Sequence, residues 1–229
     1  MKEMTFILVI IGIFFAELNL NLFSEFGFLI YAILVGVILI LMEKEVVMTK
    51  YEKIFLFLMI IPICRLAEFF VNFGFFWKTF IFYLMIIFLV IFYAIKLNIK
   101  TKPFIGNPIY FMYVVLGAGL LSLIAKYIFS LNLSGIIFLI PIIAYAEEIL
   151  FRGGIQNLTE ECFGNLSILS TSLLYAIFSM SLGFEFALIA FGASIILSTC
   201  YYFTKNLYLS FALNITFHGL VFALYPMII

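Results

Sequence analysis

The chain has 229 residues, 67% of them apolar and 10% charged, against about a quarter charged in soluble domains. Twelve lysines and arginines balance twelve acids, all of them glutamate, so the formal net charge is zero. There is no basic face to attract nucleic acid and no acidic tail to attract cations. These figures exclude an ordinary soluble domain and predict an all-α, polytopic integral membrane protein with eight to nine transmembrane helices.

Crossing about 30 Å of hydrocarbon takes about 20 helical residues. Runs of that order fall near 4–20, 26–42, 54–73, 78–95, 109–130, 134–151, 166–183, 184–203 and 207–228. The first follows Lys2 but lacks a small-residue cleavage site, and a second span comes at once, so it reads as a retained helix rather than a signal peptide. The first and third runs carry Glu17, Arg65 and Glu68, which makes them candidates for interfacial or re-entrant segments. Arg65 and Glu68 are three apart and therefore face each other on a helix.

Lys44, Lys50 and Lys53 share one loop, and Lys96, Lys100 and Lys102 share another two spans later. Both should face the cytoplasm by the positive-inside rule. Arg152 and Lys205 then fall on the same side, Lys78 beside Trp77 falls outside, and the amino terminus is cytoplasmic in a multi-pass protein of the cell membrane. Cys64, Cys162 and Cys200 are too far apart in sequence to suggest a zinc site or disulfide framework and read as packing thiols. The connector from Lys96 to Pro108 divides the chain into amino-terminal membrane helices, 1–104, with no obvious site, and a helical core, 105–229, with every candidate.

The foremost candidate is Glu147-Glu148-Ile149-Leu150-Phe151-Arg152-Gly153, at the end of a long apolar run. Charged side chains at membrane depth cost several kcal/mol unless paired, hydrated or used, so three together mark a site. Glu148 and Arg152 are four apart in the favourable acid-before-base order and should pair. Glu147 is turned to another face with no sequence-local cation, the position expected of a general base. Gly153-Gly154 should stop the helix. The competing reading, with Arg152 snorkelling to the interface and the glutamates capping the helix, fits poorly because acids at a helix carboxy terminus oppose its dipole.

The single histidine, His218, lies four residues after Asn214, so both project from one face of the last helix. Ser170 to Ser181 is rich in small hydroxyl residues and reads as a helix-packing face. Glu185, after Gly183, should mark a loop on the outer side.

These residues resemble the CAAX protease and bacteriocin-processing family (CPBP, or Abi) of intramembrane proteases. The likeness covers about 105–229. The first family motif, E-E-x-x-x-R followed by glycine, fits Glu147 to Gly153 residue for residue. The second, F-x-x-x-H, becomes Tyr175-x-x-x-Ser179, with serine where the histidine belongs. The third, H-x-x-x-N, becomes Asn214-x-x-x-His218 in reversed order, after the family-like run Phe203-Thr204-Lys205-Asn206-Leu207.

The resemblance implies an endopeptidase that hydrolyses a peptide bond near the membrane with a glutamate-activated water. Glu147 would be the base, Glu148 and Arg152 its support, and Asn214 and His218 the oxyanion pair. The partners implied are membrane lipids and a membrane-associated peptide or protein, lipidated or not, approaching from the cytoplasmic side. A divalent metal is compatible with the resemblance but not required by the sequence. The alternative reading, a catalytically inactive relative that binds a membrane peptide or lipid tail as an immunity or scaffold protein, draws on Ser179. A transporter using Glu147, Glu68 and Arg65 as a relay lacks the inverted repeats usual for that class.

Overall fold

The computed structural model describes residues 2–42, 50–70, 74–97, 99 and 136–224. Among these residues every regular element is helical. The amino-terminal helices are α1 (Lys2–Leu22), α2 (Ser24–Met42), α3 (Lys50–Phe70) and α4 (Phe75–Lys96). After the next described residue, Ile136, come α5 (Ile136–Glu148), a π-helical segment (Ile149–Gln156) and α6 (Asn157–Phe163), which run on without a break. Then follow α7 (Leu166–Ser179), one 3₁₀ turn (Met180–Leu182), α8 (Phe184–Thr204) and α9 (Leu207–Leu224).

Consecutive helices pack side by side. α1 lies on α2, α2 on α3, α3 on α4 and α7 on α8, while α9 returns to cover α5 and α8. The π segment is the hub, touching α3, α4, α7, α8 and α9. Large apolar side chains such as Leu8, Ile33, Phe88 and Ile196 point outward, as expected where the outer medium is hydrocarbon rather than water. The main apolar core joins α1 to α4 with the π segment and α7.

Three described helices are long and apolar enough to cross a bilayer: Met4–Leu22, Phe76–Lys96 and Phe184–Thr204. The sequence reading of eight to nine spans is therefore wider than the described helices support. α3 carries Lys50, Glu52, Lys53, Arg65 and Glu68, and α2, α7 and α9 contain shorter apolar stretches. The run at 109–130, the boundary at 104/105 and Lys44, Lys100 and Lys102 lie outside the described residues.

Gly153-Gly154 does not end the helix. Both residues lie inside the π segment with every neighbour buried, and a Cβ on Gly154 would come within 2.4 Å of the Phe57 ring on α3. Gly154 is there for close helix approach, not for a left-handed turn. The chain turns instead at Gly164 and Gly183, whose φ values are +55° and +119°; only glycine adopts such angles without penalty. At the next break Lys205 takes φ 51°, and the Asn206 side chain accepts from the backbone N–H of Tyr208 and Leu209 at 3.0 and 3.3 Å. That N-cap restarts the chain as α9.

The bundle has two distinct ends. At one, Lys50 pairs with Glu161 at 3.2 Å and Lys205 pairs with Glu160. At the other, Lys78 pairs with Glu68 at 3.3 Å, and Asn21 donates to the Met180 carbonyl at 2.6 Å.

Glu17 and Arg65 pair in the interior of the bundle. Glu17 is fully buried, and the Arg65 Nε donates to its Oε1 at 2.8 Å. Arg65 also donates to Glu68 at 3.0 Å, to the Phe178 carbonyl at 3.0 Å and to Ser181 at 2.7 Å. Its guanidinium sits between the rings of Phe82 and Phe178, about 5 Å from each centroid. One side chain thus ties α1, α3, α4 and α7 together.

Candidate active site

The two glutamates close α5 and point to different surroundings. Glu148 is fully buried and faces Arg152, whose Nη1 is 3.3 Å from its Oε1. Ser210 donates to its Oε2, and Asn214 Nδ2 donates to Oε1 at 3.0 Å. Arg152 has no solvent exposure. It donates to Ser194 Oγ at 2.7 Å and lies 4.9 Å from the centroid of the Tyr175 ring. One turn on, Gln156 Nε2 donates to the Ser198 carbonyl at 2.8 Å. Glu148, Arg152 and Gln156 form a polar ladder along the π segment, matched by Ser194 and Ser198 on α8. π-segments of this kind recur at functional sites.

Glu147 is also buried, but it is not the unpartnered acid the sequence suggested. Its Oε2 lies 2.7 Å from His218 Nε2, accepts from Tyr175 Oη at 2.7 Å and accepts from Asn214 Nδ2 at 3.2 Å. Its Oε1 has one partner among the described residues, the Tyr83 hydroxyl on α4, at a long 3.4 Å. The carboxylate is therefore anchored through one oxygen by α7 and α9 and nearly free at the other.

A cavity of about 250 Å³ begins at this carboxylate. Its polar floor is Glu147, His218, Tyr83 and Ser179, and its walls include Leu139, Ile143, Phe82 and Phe178. It reaches Glu68, Ser181 and Leu182 at the end of the bundle away from Lys50 and Lys205. Apolar walls with a few converging polar groups are the usual make-up of a ligand site. The cavity is small beside the 300 to 1,000 Å³ typical of such sites, so it suits a narrow segment rather than a globular ligand.

The predicted residues thus divide. Glu147, His218 and Ser179 meet in the cavity. Glu148, Arg152 and Asn214 lie behind it, and Asn214 is not among its lining residues. The amide nitrogen of Asn214 has two protons, and both are in use, one on each glutamate. Ser179 Oγ donates back to the Tyr175 carbonyl at 2.8 Å, a common use of serine within a helix.

Sequence reasoning missed Tyr83, Ser194, Gln156 and Ser210. None has a spacing signature, since each meets its partner across helices 42 to 64 residues apart in the chain. Among the described residues no three His, Cys, Asp or Glu side chains are grouped so as to hold a metal ion.

An all-helical bundle with outward apolar side chains, buried ion pairs and an acid–imidazole contact in an apolar cleft defines a membrane protein with an enzyme-like polar centre. Residues 129–221 match the family described as type II CAAX prenyl endopeptidase Rce1-like. The likeness to that family is confined to this stretch, less than half of the chain, where Ser179 and the order of Asn214 and His218 depart from the family motifs. No curated protein and no solved structure shows a significant match.

Proposed function

We propose that the protein is an intramembrane endopeptidase that hydrolyses a peptide bond of a membrane-associated, prenylated substrate. The observation that carries this reading is the asymmetry of the Glu147 carboxylate in a residue that lines the cavity: three partners hold Oε2, while Oε1 has only the long contact to Tyr83. A water held on Oε1 gives up a proton to the carboxylate as its oxygen bonds to the scissile carbonyl carbon. The tetrahedral intermediate then collapses, the C–N bond breaks, and the departing nitrogen takes the proton from Glu147. Peptide and water become a carboxylic acid and an amine, and the enzyme is restored. A positioned base of this kind contributes about 10²- to 10⁴-fold.

In this scheme His218 and Tyr175 hold the base in place, and Asn214 braces it against Glu148. That revises the oxyanion role expected for Asn214, because its two N–H groups are already used. Glu148 with Arg152 forms the buried support, with Ser194 accepting from Arg152 and Ser210 donating to Glu148.

The test is cleavage of a farnesylated peptide with a CAAX-type terminus by purified protein in ¹⁸O-water. The expected product carries one ¹⁸O in its new carboxyl group. Retention of intact peptide on the protein with no turnover contradicts the reading and supports the second one, a catalytically inactive membrane-peptide binder. That second reading rests on Ser179, whose position in the second motif leaves His218 as the only imidazole in the chain.

The cavity bears on orientation too. The lysine pattern assigns the end with Lys50, Lys53, Lys96 and Lys205 to the cytoplasm, with the amino terminus, yet the cavity reaches the surface at the opposite end, by Leu182. Cytoplasmic access to the substrate and a cytoplasmic amino terminus therefore pull apart in this fold, and we favour access from the end that bears Lys78.

A further inference from the structure

We infer that Tyr83 is a catalytic residue, the hydrogen-bond donor to the oxyanion formed on the scissile carbonyl. The inference deepens the endopeptidase reading and rests on it. It starts from a shortage of donors. Hydrolysis of a peptide bond places negative charge on the former carbonyl oxygen, and a buried site without a donor for it loses much of its rate. Around the Glu147 carboxylate the nearest donors are committed. Both N–H groups of Asn214 go to the glutamates, the Tyr175 proton goes to Glu147, and Ser179 donates to the Tyr175 carbonyl. His218 Nε2 is held on Glu147 at 2.7 Å.

The Tyr83 hydroxyl is placed differently. Tyr83 lines the same cavity as Glu147, and its hydroxyl sits 3.4 Å from Oε1, the less tightly held oxygen of that carboxylate. In the tetrahedral intermediate the attacking oxygen and the oxyanion are bonded to one carbon and so are close neighbours. A donor beside the carboxylate oxygen that holds the water is in range of both. The long contact to Oε1 is weak by hydrogen-bond standards and easily exchanged for a stronger, charge-assisted bond to a developing alkoxide. Tyr83 thus has a poor partner in the free protein and a good one only during the reaction, the condition for lowering a barrier rather than merely binding substrate.

Tyr83 belongs to α4, outside residues 129–221 that carry the family match. The reversed third motif turns the amide of Asn214 away from the cavity, and a phenol from the amino-terminal helices occupies the vacated function.

The test compares the full-length wild type with Tyr83→Phe, Glu147→Gln and Tyr93→Phe, a control on the same helix whose side chain is not among the cavity-lining residues. The probes are a farnesylated CAAX-type peptide and an unprenylated membrane-spanning peptide. Tyr83→Phe keeps the ring and its packing, so KM and the unfolding midpoint should stay at wild-type values. Its kcat should fall about 10²-fold, the usual loss on removing one oxyanion donor, while Tyr93→Phe is unchanged. A Tyr83→Phe kcat equal to wild type, with Glu147→Gln inactive, overturns the role of Tyr83 and leaves the base in place. A fall in Tyr83→Phe accompanied by an equal fall in its unfolding midpoint overturns it as well. Full activity in Glu147→Gln, or no cleavage of either probe by wild type, overturns the inference together with the endopeptidase reading.

Discussion

Two clusters of buried charge sit in this bundle, and they are built for different ends. Around Arg65, every guanidinium nitrogen has a partner: Glu17, Glu68, the Phe178 carbonyl and Ser181, with aromatic rings on both faces. Around Glu147, which lines the cavity, one carboxylate oxygen is fixed by three partners and the other has a single contact at 3.4 Å. The first cluster is a clamp across four helices. The second is held still but left with something to do. Burial of charge at membrane depth is a reason to look for function, and both clusters border the same cavity; what differs is saturation, since each guanidinium nitrogen of Arg65 has a partner within 3.0 Å while Glu147 Oε1 has only the 3.4 Å contact to Tyr83.

The comparison breaks most sharply with substitutions that should fail in opposite ways. Arg65→Leu strands Glu17 without its cation in the interior. The loss should be about 3 to 5 kcal/mol, read as collapse of folded protein in detergent. Glu148→Gln should act similarly but less severely, since Ser210 and Asn214 can still bond the amide while Arg152 loses its counter-charge. If Arg65→Leu folds like wild type, the clamp has been misread.

Next in size is the packing beneath the site. Gly154→Ala would drive a methyl group to 2.4 Å from the Phe57 ring, which is itself fully buried. Overpacking of this kind typically costs about 1 to 3 kcal/mol, measured as a lower unfolding midpoint. An unchanged midpoint would mean that α3 and the π segment can move apart.

A smaller and purely geometric effect sharpens the contrast between the bundle's two ends. Cysteines placed at Leu182 and at Lys205 should be labelled by a membrane-impermeant thiol reagent from opposite sides of sealed vesicles. Labelling of both from one side would contradict the arrangement of α7 and α8. On the proposed reading, the side that reaches Leu182 is the side from which substrate should approach. Smallest of all, Lys205→Ala removes an exposed pair with Glu160 and should change stability by less than about 1 kcal/mol.

Much of the site was legible in the sequence because helices convert spacing into position. Glu148 with Arg152, Arg65 with Glu68, and Asn214 beside His218 all follow from intervals of three or four residues, and each geometry is found. What spacing does not reveal is which helix faces which. Tyr83 and Glu17 meet their partners only because α4 and α1 pack where they do, and an isolated tyrosine among thirteen has no pattern to distinguish it. The misread stop at Gly153-Gly154 has a related cause. A glycine pair serves equally for a left-handed turn or for close helix contact, and only the presence of Phe57 against Gly154 decides between them. Apolar length alone also does not register that α3 carries five charges, or that α5 passes into a π segment that is buried throughout.

The most direct test of the central claim is the turnover of Glu147→Gln against wild type on the farnesylated peptide, with folding checked in the same samples. Glutamine preserves the size of the side chain but cannot accept the proton of water. The account predicts a folded protein that still binds peptide and whose kcat is lower by about 10³-fold. Cleavage at the wild-type rate by a folded Glu147→Gln protein would contradict it.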